Sequence, residues 1–319
     1  MRIGGAPRIL AALAWLLGGT SLSYGGKCLN PKAIGISRVI QVGLPADAKP
    51  VSLKKGKYIK LKRKELILTI DDGPHPKYTP LILKALDEQC IKATFFMVGE
   101  MAQQSPELVR EVYRRGHTVA THTWGHPRSL PKLNEAVAIA EIERGIEAVS
   151  YALGKEPGGP SPAPLFRFPG LNGSTKLISY LQKKGISAVT VDIDPRDWEQ
   201  KDADKLYKQA LKKIRRGGRG VLLIHDIKAA TAKMLPRLLV TLKKRGYTFV
   251  HMIPAPPAKP PLLLATAKPA PKPVIKVSLA SIGLRPSILA QEALLRDDKT
   301  GEKRPALFTP PSGLAHNPI

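Results

Sequence analysis

The feature that most constrains this chain is an alternation of short β-rich runs with helical stretches, beginning at Glu65 and lasting to about His251. The runs ELILTI, KATFFMVG, HTVATHT, LFRFP, ISAVTVDID, GVLLIHD and YTFVHMI favour β-branched and aromatic residues, which suit a pleated surface. Between them lie longer segments with helical spacing. Several end on a basic turn closed by glycine: RRG at 114–116, KKG at 183–185, RRGG at 215–218 and KRG at 244–246. Cations offset the negative end of a helix, and glycine takes the left-handed conformation that stops it. Alternating β and α elements imply a parallel sheet, either open or closed into a barrel. In both forms the functional residues gather at the C-terminal ends of the strands.

The flanks have a different character. MRIGGAPRILAALAWLLGGTSLSYGG reads as an export signal over residues 1–24, with Arg2 and Arg8 ahead of an apolar stretch from Ile9 to Leu17 and small residues from Thr20 to Ser23. That stretch is shorter than the roughly 20 apolar residues of a membrane span; an uncleaved anchor is the alternative. The expected location is periplasmic or secreted. Export puts Cys28 and Cys90 in an oxidising space, where they either pair or remain two thiols. Residues 25–60 are basic and weakly patterned, an expected extension wrapping a domain at 61–253. Residues 254–319 turn to Pro, Ala and Lys, the composition of a disordered tail.

The chain carries 51 Lys and Arg against 25 Asp and Glu, a formal charge of +26. Such a surface favours polyanions. Aromatics are only 5% and no nucleic-acid motif is present, so nucleic acid is not an expected partner. An anionic envelope surface is. No obligate protein partner is evident.

Polar residues that are costly to bury cluster at strand ends. ELILTI runs into Asp71-Asp72-Gly73-Pro74-His75-Pro76. Adjacent carboxylates repel unless a cation offsets them, though the same residues also make an ordinary solvated turn. His122 and His126 stand at i and i+4 where HTVATHT ends, and reach one metal if the backbone turns helically between them. With one carboxylate they form a two-histidine, one-aspartate set that leaves a position open for water. Arg167 lies in FRFPG, Asp194, Asp197 and Trp198 in DIDPRDW, and His225 in VLLIHD. An arginine holds a nearby carboxylate ionised, and an aspartate favours the imidazolium of a histidine. Singly these are a surface arginine, a helix-capping aspartate and a core histidine; on consecutive strand ends they suggest one site.

TIDDGP, HTWGH, RFPG, DPRDW and LLIH, in this order between Lys64 and Ile253, resemble the five motifs of the polysaccharide deacetylases, the NodB-homology or carbohydrate esterase 4 family. The resemblance implies a distorted (β/α) barrel holding a divalent ion, usually zinc, with cobalt or another divalent ion as alternatives. It implies Asp71 as general base, Asp72, His122 and His126 as metal ligands, and Arg167 as the tether of the base. His225 falls on the general acid, tuned by Asp197 or Asp194. The implied reaction removes N-acetyl groups from an amino-sugar polymer such as peptidoglycan or chitin and releases acetate. An O-acetyl esterase and a non-catalytic glycan-binding protein are the rivals. Two positions depart from the pattern: Ile70 replaces a phenylalanine, and Gly170 replaces a tyrosine. Gly170 keeps the N–H that stabilises the oxyanion and loses the aromatic wall. Trp124 and Trp198 are candidates for the substrate side of the cleft, or for the core.

Overall fold

A strand buried on both faces is dominated by apolar residues, and the two longest such runs show it. β2 (Glu65–Asp71) and β7 (Gly220–His225) are buried at every position. The computed structural model describes residues 28, 30–43, 50–51, 59–154 and 159–255. The export segment at 1–24 and the tail beyond residue 255 lie outside the described residues.

In chain order the elements are β1 (Ile36–Val42), β2, α1 (Thr79–Glu88), β3 (Thr94–Met97), α2 (Gly99–Gln104), α3 (Pro106–Arg114), β4 (Thr118–Thr121) and α4 (Glu135–Leu153). β5 (Leu165–Phe166), α5 (Thr175–Lys183), β6 (Ser187–Ala188), α6 (Ala203–Gly217), β7, α7 (Ala229–Lys244) and β8 (Thr248–Pro254) follow. All strand pairs are parallel. From β2 the order runs through β3, β4 and β5 to β6, while β7 pairs with the other side of β2. The gap between β6 and β7 is bridged just after β6. Asp192 and Ile193 donate to the Val221 carbonyl, and Leu223 donates to that of Ile193. The sheet thus curls into a nearly closed, distorted barrel, which decides between the open and closed forms. Among the described residues no helix is long and apolar enough to cross a membrane.

Two segments differ from the sequence reading. Residues 36–42, assigned to a weakly patterned extension, form β1 at the edge of the sheet beside β8. The signal is faint because Arg38 occupies a half-buried position in β1, where it holds Glu65 through both carboxylate oxygens at 3.0 and 2.8 Å. ISAVTVDID, expected as one strand, keeps only Ser187–Ala188 in the ladder. β8 lies beside the start of β2, and the buried Thr94 and Thr118 hydroxyls reach across to its Met252 carbonyl at 3.2 and 3.0 Å. They satisfy an acceptor that would otherwise cost about 1–3 kcal/mol.

Cys28 and Cys90 are joined, fastening the N-terminal segment to the end of α1 across a sequence separation of 62. Asn30 reinforces the same junction by donating to the Glu88 carbonyl at 2.8 Å. In the chain-entropy account a loop of this length stabilises by roughly 4 kcal/mol. Reduction is therefore expected to lower the melting temperature by about 10 °C. An unchanged melting curve under reducing conditions would show that the junction holds without the bridge.

Candidate active site

Strand alternation puts Thr69 and Asp71 on one face of β2. Arg167, just past β5, meets both: its Nη1 donates to Asp71 Oδ1 at 2.6 Å and to Thr69 Oγ1 at 2.8 Å. Its Nε donates to the Val189 carbonyl at 3.2 Å, and the guanidinium lies 4.1 Å from the Phe96 ring centre. Arg167 is wholly buried, and Asp71 is the anion it contacts. Such a pair persists only when its remaining donors are satisfied.

The next residue, Asp72, takes a left-handed backbone (φ 80°) that swings its carboxylate away from that pair. Its Oδ1 lies 3.5 Å from His122 Nε2 and 3.4 Å from His126 Nε2, and this buried oxygen has no hydrogen-bond partner. One donor atom from each of the three residues falls within 4.8 Å of the others. His122 Nδ1 sits 2.6 Å from the Arg167 carbonyl, which can only accept, so Nδ1 donates and Nε2 is the nitrogen that faces Asp72. Burial, and then the neighbouring His122, hold His126 below its ordinary pKa and keep it neutral, as a metal ligand must be. Burial opposes ionisation of Asp72, yet the three surrounding histidines draw its pKa well below the usual carboxylate range. An orphaned carboxylate oxygen facing two imidazoles fits a divalent cation. The two histidines do not converge through a helical turn, as their spacing suggested. They converge through a loop in which Thr123 (φ 65°) and His126 (φ 56°) are both left-handed.

His225 ends β7. Its Nδ1 lies 2.7 Å from Asp197 Oδ1, while its own N–H donates to Asp197 Oδ2 at 2.8 Å. The Thr231 hydroxyl donates to the same Oδ2 at 2.6 Å, so Asp197 is fully engaged. Burial pulls the His225 pKa down, but the bond and charge of Asp197 outweigh it and push it up to about 9. His225 Nε2 lies 4.0 Å from Asp72 Oδ2, facing the cluster. Asp194 has a different occupation: its Oδ1 accepts from the Arg196 N–H at 2.6 Å and shapes the turn.

The remaining candidates separate. Trp198 is 37% exposed and flanked by Arg128 and Arg196, each 5.4 Å from its ring centre. Trp124 packs on Gly99 at the start of α2 and beneath Arg144 of α4, 4.4 Å away, so its ring belongs to a helix junction and not to the cluster. Gly170 is exposed with φ 61°, and among the described residues no backbone carbonyl accepts its N–H.

Thr69, Thr231 and Asp226 are the contributors that sequence reasoning passed over. Thr69 was recoverable, since it stands two residues before Asp71 on the same strand face. Asp226 is buried beside the loop that carries Asp72. It accepts from Thr79 Oγ1 at 2.6 Å, and that hydroxyl in turn accepts from the His75 N–H at 2.7 Å. A Cβ on Gly73 would stand 2.1 Å from Asp226 Oδ2, so the glycine of DDGP is required by this close approach. Burial is the first cause raising the Asp226 pKa, to about 7, with Thr79 opposing and the charge of Asp72 adding to it.

A family model described as polysaccharide deacetylase matches residues 59–189. A chitooligosaccharide deacetylase of Bradyrhizobium sp. (strain ANU 289) is 30% identical over 206 residues, which cover 60% of this chain and 90% of that protein. This chain belongs to the polysaccharide deacetylase family. The peptidoglycan-N-acetylglucosamine deacetylase PgdA of Listeria monocytogenes is 31% identical over 207 residues. That match covers 65% of this chain but only 41% of PgdA, so the chain spans less than half of that relative. Among solved structures, a peptidoglycan deacetylase of Bdellovibrio bacteriovorus is 31% identical with a TM-score of 0.57, covering 70% of this chain and 57% of the other. The near-closed barrel of this family member is the architecture that its five ordered motifs implied.

Proposed function

We propose that this chain is a metal-dependent hydrolase that removes N-acetyl groups from an amino-sugar polymer or oligomer, peptidoglycan or chitin-like, and releases acetate. What carries the reading is the placement of two proton-handling pairs, Asp71 with Arg167 and His225 with Asp197, beside the donor set of Asp72, His122 and His126. The names of the relatives support an amino-sugar substrate: one acts on chitooligosaccharides and another on peptidoglycan N-acetylglucosamine. Export through residues 1–24 to the periplasm or exterior belongs to the same proposal and rests on their pattern.

Bound by Asp72, His122 and His126, a divalent ion supplies Lewis acidity and lowers the pKa of water from 15.7 toward about 7. Zinc is the first choice, and cobalt suits the same donors. Arg167 occupies Asp71 Oδ1, leaving Oδ2 to take the proton of the attacking water. The oxyanion falls to the Gly170 N–H, a donor of a kind worth about 3 kcal/mol in comparable sites. His225 carries a proton on Nε2 and delivers it to the departing sugar amine. One water is consumed, and acetate and a free amine are formed. Trp198 offers its exposed face to a sugar ring or the acetyl methyl.

The reading is tested by acetate released from chitin oligomers and from peptidoglycan, with chelator and then with added zinc. Release that vanishes with chelator and returns with zinc supports it. Acetate from acetylated xylan alone would shift the substrate to an ester. No acetate from any of these, with metal bound, would leave a glycan-binding protein. His126→Ala is expected to lower bound zinc to well under one equivalent and activity with it, measured by metal analysis of the dialysed protein.

A further inference from the structure

In a parallel barrel every helix-to-strand loop lies at the end opposite the site, so the basic turns noted in the sequence are brought together there. Two of these loops and the segment that leads into β2 are stitched into one surface. Lys64 N–H donates to the Gly218 carbonyl at 3.0 Å, Arg219 Nη1 to that of Leu61 at 2.8 Å, and Lys64 Nζ to that of Arg245 at 2.7 Å. The loops read KLKRK at 60–64, RRGGR at 215–219 and KKR at 243–245, which together hold ten cations. The adjoining carboxylate, Glu65, is already held by Arg38.

Helix capping does not account for this concentration. A cation or two suffices for the C-termini of α6 and α7, and KLKRK follows no helix of the described residues. Eight of the ten side chains are exposed, and none of the eight pairs with a carboxylate among the described residues. Between the loops lies a pocket of about 290 Å³, with Lys64, Arg215 and Arg245 at its rim and Leu211, Leu242 and Tyr247 in its wall. A cationic rim over an apolar wall matches the headgroup and first carbons of an anionic amphiphile. A stacking platform for nucleic-acid bases is not offered, because Tyr247 is 7% exposed.

We propose that this end of the barrel docks on an anionic phospholipid surface. The site of Asp71 and His225 then faces away from the lipid, a consequence that rests on the deacetylase reading; the docking itself does not.

The test is co-sedimentation of the full chain with phosphatidylcholine vesicles, with and without phosphatidylglycerol, over rising salt. Binding is expected only to the anionic vesicles and is expected to weaken as salt rises. The variant Arg63→Gln, Arg215→Gln, Arg216→Gln, Arg245→Gln is expected to bind them roughly a hundredfold more weakly or worse, with turnover on soluble chitin oligomers unchanged. Lys62→Gln with Lys244→Gln, two exposed changes, is expected to cost about tenfold and stands in if the fourfold variant does not fold. Wild-type protein that ignores the anionic vesicles would overturn the proposal. So would variants that bind like wild type, since other basic segments would then carry the binding. Duplex DNA retained through the same residues, without vesicle binding, would reassign the face to nucleic acid. Vesicle binding needs no turnover, so its failure is separable from failure of the deacetylase reading.

Discussion

Asp71→Asn is expected to lower acetate release roughly a thousandfold or more while leaving the metal in place. A positioned general base contributes about 10²- to 10⁴-fold, and an amide in its position cannot take a proton from water. The proposed ligands are a separate set: Asp72, His122 and His126 meet around the orphaned Asp72 Oδ1, and Asp71 is held by Arg167. The same substitution leaves the fully buried Arg167 without the anion it contacts, and an uncompensated buried charge costs about 3–5 kcal/mol. Activity and melting temperature should therefore fall together, with zinc content near that of the wild type. Acetate release, thermal denaturation and metal analysis on one preparation check all three. Near-normal turnover would remove Asp71 from the role of base; loss of zinc would place it among the ligands.

Much of this site is legible because its residues end strands. Asp71 closes ELILTID and His225 closes GVLLIH, and parallel topology delivers such ends to one rim without any knowledge of the loops. What sequence conveys poorly is where an irregular segment sends a side chain. Trp124, between the two histidines, looks placed for substrate, but the left-handed Thr123 before it turns its ring onto Gly99 and Arg144. Asp194 and Asp197 share one short motif, and only the hydrogen bonds at His225 and Arg196 tell them apart. The pairing of Cys28 with Cys90 joins positions 62 apart, a contact that no local pattern encodes. β1 was hidden because an edge strand need be only half apolar, and the ion pair of Arg38 with Glu65 replaces an apolar contact there. Asp226 was missed for a related reason: it supports the Asp72 loop, through Thr79, from an element distant in sequence.

Asp197→Asn is expected to move the alkaline limb of turnover down by two pH units or more. In the wild-type chain Asp197 overcomes burial and pushes the His225 pKa up to about 9, so the imidazolium needed to protonate the leaving amine persists across neutral pH. Asparagine keeps an acceptor for His225 Nδ1 but removes the charge. Burial is then opposed only by the charges of Asp72 and Asp71, and the histidine pKa falls. At pH 8 the variant should lose about tenfold or more in turnover, and part of that loss should be recovered at lower pH. Stability should follow the same sign. A histidine whose folded pKa is raised contributes stability that is complete below about pH 6.5 and is lost as pH rises through about 9. The stability gap between wild type and variant should accordingly be widest in mild acid and close toward pH 9. Profiles of turnover and of denaturant midpoint against pH read both effects. A variant that keeps its alkaline limb near pH 9 would show that His225 is not the proton donor, or that Asp197 does not hold its proton. A limb that moves without the matching change in stability would assign the titration to a group other than His225.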